Sequence, residues 1–133
     1  MGVNYYVKIS RKQKDKINND PEICSLVKQC IDKLELHIGK LSGGLPFTFQ
    51  LHRQVYFKGG YIDLDTYNKW KDFISQDTLE IWNEYNELVD KNDFFRIVDE
   101  SKNNKMKEYD SEHIHTHYLH DLQGWRFIEG DFC

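Results

Sequence analysis

The chain has 133 residues, of which 39% are hydrophobic and 30% charged, a size and balance suited to one domain around one core. Aromatic residues reach 14%, which excludes a disordered chain, and the formal net charge of −4 excludes a protein that coats nucleic acid through general positive charge. The three cysteines match neither a disulfide framework nor a zinc ribbon, which indicates a reduced, cytoplasmic protein. No apolar run approaches the ~20 residues of a membrane span.

The N-terminal quarter is predicted to hold a strand and a helix. Residues 3–9 are rich in aromatic and β-branched side chains, which is typical of a strand, and residues 11–19 read as a charged connector. Asp20 and Pro21 then open a helix, because Asp is a common N-cap and Pro suits the first helical position. Apolar side chains recur at helical spacing over residues 23–34, which predicts one buried stripe.

A β-hairpin is predicted next. A short strand over residues 36–38 ends at Gly39, and a loop over residues 40–45 leads into a second strand over residues 46–53. Apolar and polar side chains alternate in this second strand, the pattern of a half-buried strand. We therefore expect the two strands to pair.

The second half is predicted to alternate helices and strands. A turn at Gly59 and Gly60 precedes a helix capped by Asp63. Its aromatic and apolar side chains lie at helical spacing: Tyr67, Trp70, Phe73 and Ile74. A strand over residues 79–85 then leads to Asn86, which tolerates a left-handed turn conformation.

A third helix and two closing strands complete the chain. Asp90 is the predicted N-cap of this helix, which ends near Ser101. The closing strands are predicted over residues 113–119 and 124–132. Together these elements predict an α+β fold in a single small domain over residues 1–133, with about three helices and a mainly antiparallel sheet.

The glycine-rich segment over residues 37–44 is the first candidate site. Backbone N–H groups that glycine leaves accessible, a lysine and a hydroxyl are the groups that bind phosphate. A strand follows the segment where a Walker A loop requires a helix, so it is not a P-loop. The candidate ligand-binding residues are His37, Gly39, Lys40, Ser42, Gly43, Gly44 and Arg53. The alternative is a hairpin loop whose glycines serve turn geometry and whose lysine is solvated.

Three alternating histidines, His113, His115 and His117, are the second candidate site. On a strand they would lie on one face about 6.6 Å apart, and with a further ligand they could bind a metal ion such as zinc. The alternative is a polar strand face that binds no metal, in which case the chain needs no cofactor. Neither the cysteines nor the carboxylates show the neighbouring base or spacing of a catalytic group, which favours a protein that is not an enzyme.

Three separated parts of the chain resemble a family of short proteins encoded by bacteriophages and prophages. They are the opening Met1–Tyr6, the segment His37–Gly44 with the aromatic strand after it, and the closing Asp121–Phe127. The resemblance implies a phage origin and action in the cytoplasm of the host cell. Members of the family carry a Cys-x-x-Cys pair before the central segment, whereas Cys24 and Cys30 are separated by five residues on a predicted helix. The zinc site of the family is therefore not carried over.

Three functions follow from these observations. The first is a phage accessory protein that counteracts host defence by sequestering a phosphate-bearing small molecule, such as a nucleotide second messenger, at the glycine-rich segment. The second is a protein-binding inhibitor of a host enzyme or defence complex. The third is a metal-dependent hydrolase built on the three alternating histidines. None of them involves a membrane or general nucleic-acid binding, and by analogy with other small domains the first is compatible with a homo-oligomer.

Overall fold

A computed structural model describes residues 2–22, 35–57, 59–103 and 119–130, and these residues form one sheet with three helices. The strands are β1 (Gly2–Ile9), β2 (Glu35–Ser42), β3 (Thr48–Phe57), β4 (Gly60–Leu64), β5 (Leu79–Asn83), β6 (Leu88–Val89), β7 (Leu119–His120) and β8 (Arg126–Glu129). The helices are α1 (Arg11–Asn18), α2 (Tyr67–Ile74) and α3 (Lys91–Ser101).

The sheet runs in the order β6-β5-β1-β2-β3-β8-β7, and β4 pairs with β3 outside this path. All the pairs are antiparallel except β3 with β8, which run parallel. The predicted α+β fold with a mainly antiparallel sheet is therefore confirmed. Within the four described ranges, no helix is both long and apolar enough to cross a membrane.

Helices α2 and α3 pack aromatic side chains against one face of the sheet, here called the core face. Phe94 of α3 meets Phe47 edge-on with 5.6 Å between ring centroids, and Tyr67 of α2 lies 5.1 Å from Phe49. The buried indole of Trp70 donates a hydrogen bond to a backbone carbonyl of β3 at 3.0 Å. Each such aromatic pair contributes about 0.5–1.5 kcal/mol beyond its buried area. The predicted helix is confirmed as α2, and its four side chains at helical spacing, Tyr67, Trp70, Phe73 and Ile74, are all buried.

The prediction of a connector over residues 11–19 is wrong, because α1 occupies most of it. Ser10 caps this helix, and its Oγ accepts a hydrogen bond from the N–H of Gln13 at 3.1 Å. No residue of α1 is buried, so the apolar periodicity that indicates a helix in sequence is absent. The helix predicted to open at Asp20 and Pro21 lies mostly outside the described residues, which end here at Glu22. Asp20 Oδ1 accepts a hydrogen bond from Glu22 N–H at 2.9 Å.

The predicted hairpin is confirmed, but both of its strands are longer than expected. Strand β2 continues through Gly39 to Ser42, so the predicted loop shrinks to a short turn in which Leu45 N–H donates to the Ser42 carbonyl at 3.1 Å. Gly44 has a φ of +78° in this turn, a conformation that favours glycine. The first four residues of β3 are also covered on both faces, because Thr48 and Gln50 are buried together with Phe49 and Leu51. Period-two alternation alone did not predict this second layer.

The cap of α2 was also predicted wrongly. Thr66 is the N-cap, and Asp63 lies within β4, where it accepts a hydrogen bond from the backbone N–H of Gln54 at 3.0 Å. The prediction that Asp90 caps α3 is confirmed, with Asp93 N–H as the donor at 3.0 Å. The predicted turn at Asn86 is confirmed as well, with a φ of +62°.

The closing turn between β7 and β8 is held by one carboxylate. Asp121 Oδ1 accepts hydrogen bonds from the backbone N–H groups of Gln123 and Trp125, and its Oδ2 accepts one from Tyr67 N–H at the start of α2, each at 2.9 Å. The second closing strand is confirmed as β8. The predicted strand over residues 113–119 falls outside the described residues except for Leu119.

Candidate functional site

The face of the sheet opposite the core face carries polar and aromatic side chains and is here called the polar face. Cross-strand pairs place its members side by side, because directly opposed residues of an antiparallel pair share a face. Its members on the central strands are Asn4, Tyr6, His37, Lys40, Ser42, Thr48, Gln50 and Trp82. Four of the predicted ligand-binding residues, from His37 to Ser42, are thus in β2, including Lys40 and Ser42, which were predicted in a loop.

Lys40 and Ser42 converge over Gly2 on the polar face. A Cβ placed on Gly2 would lie 2.6 Å from Lys40 Cε and 3.1 Å from Ser42 Oγ. The absence of a side chain at Gly2 therefore lets both the lysine stem and the hydroxyl lie against this residue. Directly after Ser42 the chain turns through the exposed Gly43 and Gly44. A cation, a hydroxyl and a glycine turn are thus brought together.

Gly39 has a packing role that the sequence did not indicate. It is buried in β2, and a Cβ there would lie 2.2 Å from the Thr48 carbonyl oxygen and 2.5 Å from the ring of Phe47. Any side chain at this position would push away β3 and Phe47, the residue that precedes it. The need for glycine is explained by the core, and a contact of Gly39 with a ligand stays a prediction.

Arg53 is separated from the other predicted ligand-binding residues. It lies five residues beyond Thr48 along β3, which corresponds to roughly 16 Å. Its guanidinium is 3.6 Å from Asp63 Oδ2 and 3.5 Å from Glu129 Oε1. The structure therefore places Arg53 in a surface ion-pair group and does not bring it to Lys40.

His37 is the centre of a hydrogen-bond network across β1, β2 and β3. Its Nε2 is 2.9 Å from Asn4 Oδ1, and its Nδ1 is 3.2 Å from Gln50 Oε1. His52 Nε2 donates to the His37 carbonyl at 2.8 Å, and the ring of Tyr6 packs 5.2 Å from the imidazole. Burial, as the largest effect, lowers the pKa of His37. The backbone pairing of β2 with β3 covers only Gly39–Phe49 and Lys40–Thr48. Beyond it, the side chains around His37 connect the two strands.

The three alternating histidines of the predicted metal site, His113, His115 and His117, lie outside the described residues. Among the residues that are described, no group of three or more histidine, cysteine, aspartate or glutamate side chains could hold a metal ion.

The structure adds features that the sequence did not reveal. Asn4, Gln50 and His52 join His37 only because three strands meet there, and no local pattern marks them. A cleft of about 450 Å³ opens where β2 and β3 diverge. It is lined by apolar side chains with a few polar ones: Val7, Lys8, Ile9, Glu35, Leu36, Val55, Tyr56, Phe73 and Leu79.

Comparisons with family models, with curated proteins and with solved structures return no match to the chain. The fold therefore defines the class as a small α+β domain, and the function is inferred from the polar face.

Proposed function

We propose that this protein is a non-catalytic binding protein that sequesters a phosphate-bearing small molecule on the polar face. The observation that carries the proposal is the convergence of Lys40 and Ser42 over Gly2, next to the turn at Gly43 and Gly44. A nucleotide second messenger is the ligand class that we propose, and a phage protein that counteracts host defence is the biological role.

The chemistry of the convergence suits a phosphate group. An ammonium group supplies charge, a hydroxyl can donate to a phosphate oxygen, and a glycine turn lets a ligand approach backbone N–H groups. A charge-assisted hydrogen bond contributes about 1.5–3 kcal/mol, so loss of the Lys40 ammonium is expected to weaken binding about tenfold or more.

A thermal-shift screen of the purified full chain, without a histidine tag, tests the proposal. The panel contains nucleotides, cyclic dinucleotides, ADP-ribose derivatives and divalent metal ions. A ligand that binds only the native state raises the melting temperature by mass action, so a shift of several degrees is expected with one nucleotide class. A shift with metal ions alone would instead support the hydrolase that the three alternating histidines suggest.

Three variants locate the site once a nucleotide class has been found. Lys40→Ala and Ser42→Ala should weaken binding, whereas Lys69→Ala, the matched control, should leave it unchanged. Lys69 lies on α2 and pairs with Asp65 at 2.8 Å on the exposed surface. Equal affinity in Lys40→Ala and in the control would remove this site from the proposal.

A protein-binding inhibitor is the second candidate, and one specific observation favours it. Tyr56 and Tyr61, opposed on β3 and β4, are 66% and 73% exposed and contact each other with 5.7 Å between ring centroids. Exposed tyrosines are frequent anchors of protein interfaces. Pull-down from host lysate that is lost with Tyr56→Ala plus Tyr61→Ala, but kept with Tyr85→Ala, would support this function, since Tyr85 is similarly exposed.

A further inference from the structure

His37 lies between two amide oxygens whose orientation other groups fix. The amide nitrogen of Gln50 donates to two backbone carbonyls at the end of β8, so its oxygen must face His37 Nδ1. The amide nitrogen of Asn4 is 3.4 Å from the carboxylate of Glu84, so its oxygen faces His37 Nε2. Neither amide can turn over without losing these contacts. Both ring nitrogens of the imidazole therefore face acceptors.

A neutral imidazole has one N–H group and can donate to only one of these two oxygens. When the ring takes up a second proton, both nitrogens become donors and both contacts become hydrogen bonds. Burial opposes this charge and lowers the pKa of His37, so the neutral ring prevails above neutral pH. A nearby anion would shift this balance toward the charged form.

We propose that His37 is a proton-linked second cation of the anion site, so that binding of a phosphate or similar dianion at Lys40 and Ser42 takes up a proton on the imidazole. The inference rests on the proposed function and adds its regulation by pH. Asn4 connects the two groups, because its side chain contacts His37 Nε2 and its backbone pairs with Lys40. His37 needs no direct contact with the ligand, since its charge acts through space.

The titratable groups packed around His37 also affect its charged form. Glu35 on the same strand favours the imidazolium, while His52 on β3 disfavours it. Tyr6 on β1 packs against the ring, and Glu84 reaches the network through Asn4. Glu35 is paired with Lys8 at 3.7 Å. His37 has both of its ring nitrogens directed at acceptors whose orientation is fixed.

The test uses sulfate as the probe, because its charge does not change near neutral pH and every proton taken up then belongs to the protein. The His37 ring is titrated by NMR in the full chain, once in chloride and once in sulfate at equal ionic strength. We expect sulfate to raise the pKa of His37 by about 0.5–1 unit. By reciprocity, sulfate affinity should rise between pH 8 and pH 5.5, by at most about three- to tenfold, because the full factor is reached only when His37 is fully protonated with and without sulfate. The exposed His120 on β7 is the internal control and should shift less.

His37→Gln assigns the signal and should abolish the pH dependence of sulfate binding while leaving the Lys40 contribution intact. If sulfate perturbs the backbone amides of Lys40 and Ser42 equally at both pH values and does not move the His37 titration, the linkage is refuted and the anion site stands. If sulfate perturbs none of these amides at either pH, the anion site itself is refuted. Both readings are made on the unmodified chain, so they remain decisive even if the variant does not fold.

Discussion

Replacement of the single polar residue Asp121 by Ala is expected to lower the stability of the folded protein strongly. The carboxylate accepts three backbone hydrogen bonds, and two of the donors belong to the buried residues Tyr67 and Trp125. A buried N–H left without a partner costs about 1–3 kcal/mol, while the exposed N–H of Gln123 can turn to water. We therefore expect Asp121→Ala to lower the free energy of unfolding by about 2–4 kcal/mol.

Asp121→Asn separates the contribution of Oδ1, which binds the turn, from that of Oδ2, which binds the start of α2. Asparagine keeps an oxygen for the turn donors but presents an NH₂ group to Tyr67 N–H, so about 1–2 kcal/mol should be lost. The control is Asp65→Ala, which removes an exposed ion pair with Lys69 and should cost less than about 0.5 kcal/mol.

The assay is urea unfolding followed by tryptophan fluorescence, with the dependence on urea concentration fitted for each variant. The melting temperature of Asp121→Ala should also fall by about 10 °C. A loss below about 1 kcal/mol, with an unchanged urea dependence, would show that the turn and the start of α2 find other partners. The assignment of a structural role to Asp121 would then be wrong.

Three further predictions concern packing and pH. Gly39→Ala should lower the free energy of unfolding by at least about 2 kcal/mol in urea unfolding, because its Cβ would collide with the backbone and with Phe47. Gly60→Ala is the control and should cost under about 1 kcal/mol, because a Cβ at Gly60 would meet open space. Phe94→Ala should cost about 3–5 kcal/mol by the same assay, since Phe94 is fully buried among aromatic rings; a loss near 1 kcal/mol would contradict the packing described. Because the pKa of His37 is lowered in the folded protein, the unfolded chain binds a proton more tightly and stability should fall as pH drops below about 6.5. Unfolding of the unmodified chain and of His37→Gln at pH 7.5 and 5.5 measures this, and an equal fall in both would assign the effect to another group.

The sequence by itself determined the elements whose signals are local. Side chains at helical spacing located α2, the aspartate before the last helix identified its cap, and Asn86 marked a left-handed turn, because each of these depends on residues within one or two turns of the chain. The class of fold followed from the alternation of such elements. Helix α1 was not predicted, because none of its residues is buried and its sequence therefore has no apolar stripe.

Only the tertiary structure decided how the polar face is assembled. Lys40 and Ser42 meet over Gly2 because β1 pairs with β2, and residues some forty positions apart then become neighbours. The pairing of β2 with β3 gives Gly39 a packing role that no local pattern indicated. Arg53 is only eleven residues from Ser42 in sequence, but the extended strand β3 places it far from Lys40 and Ser42. Strand register fixes these distances, and register depends on contacts between distant segments that no local pattern records.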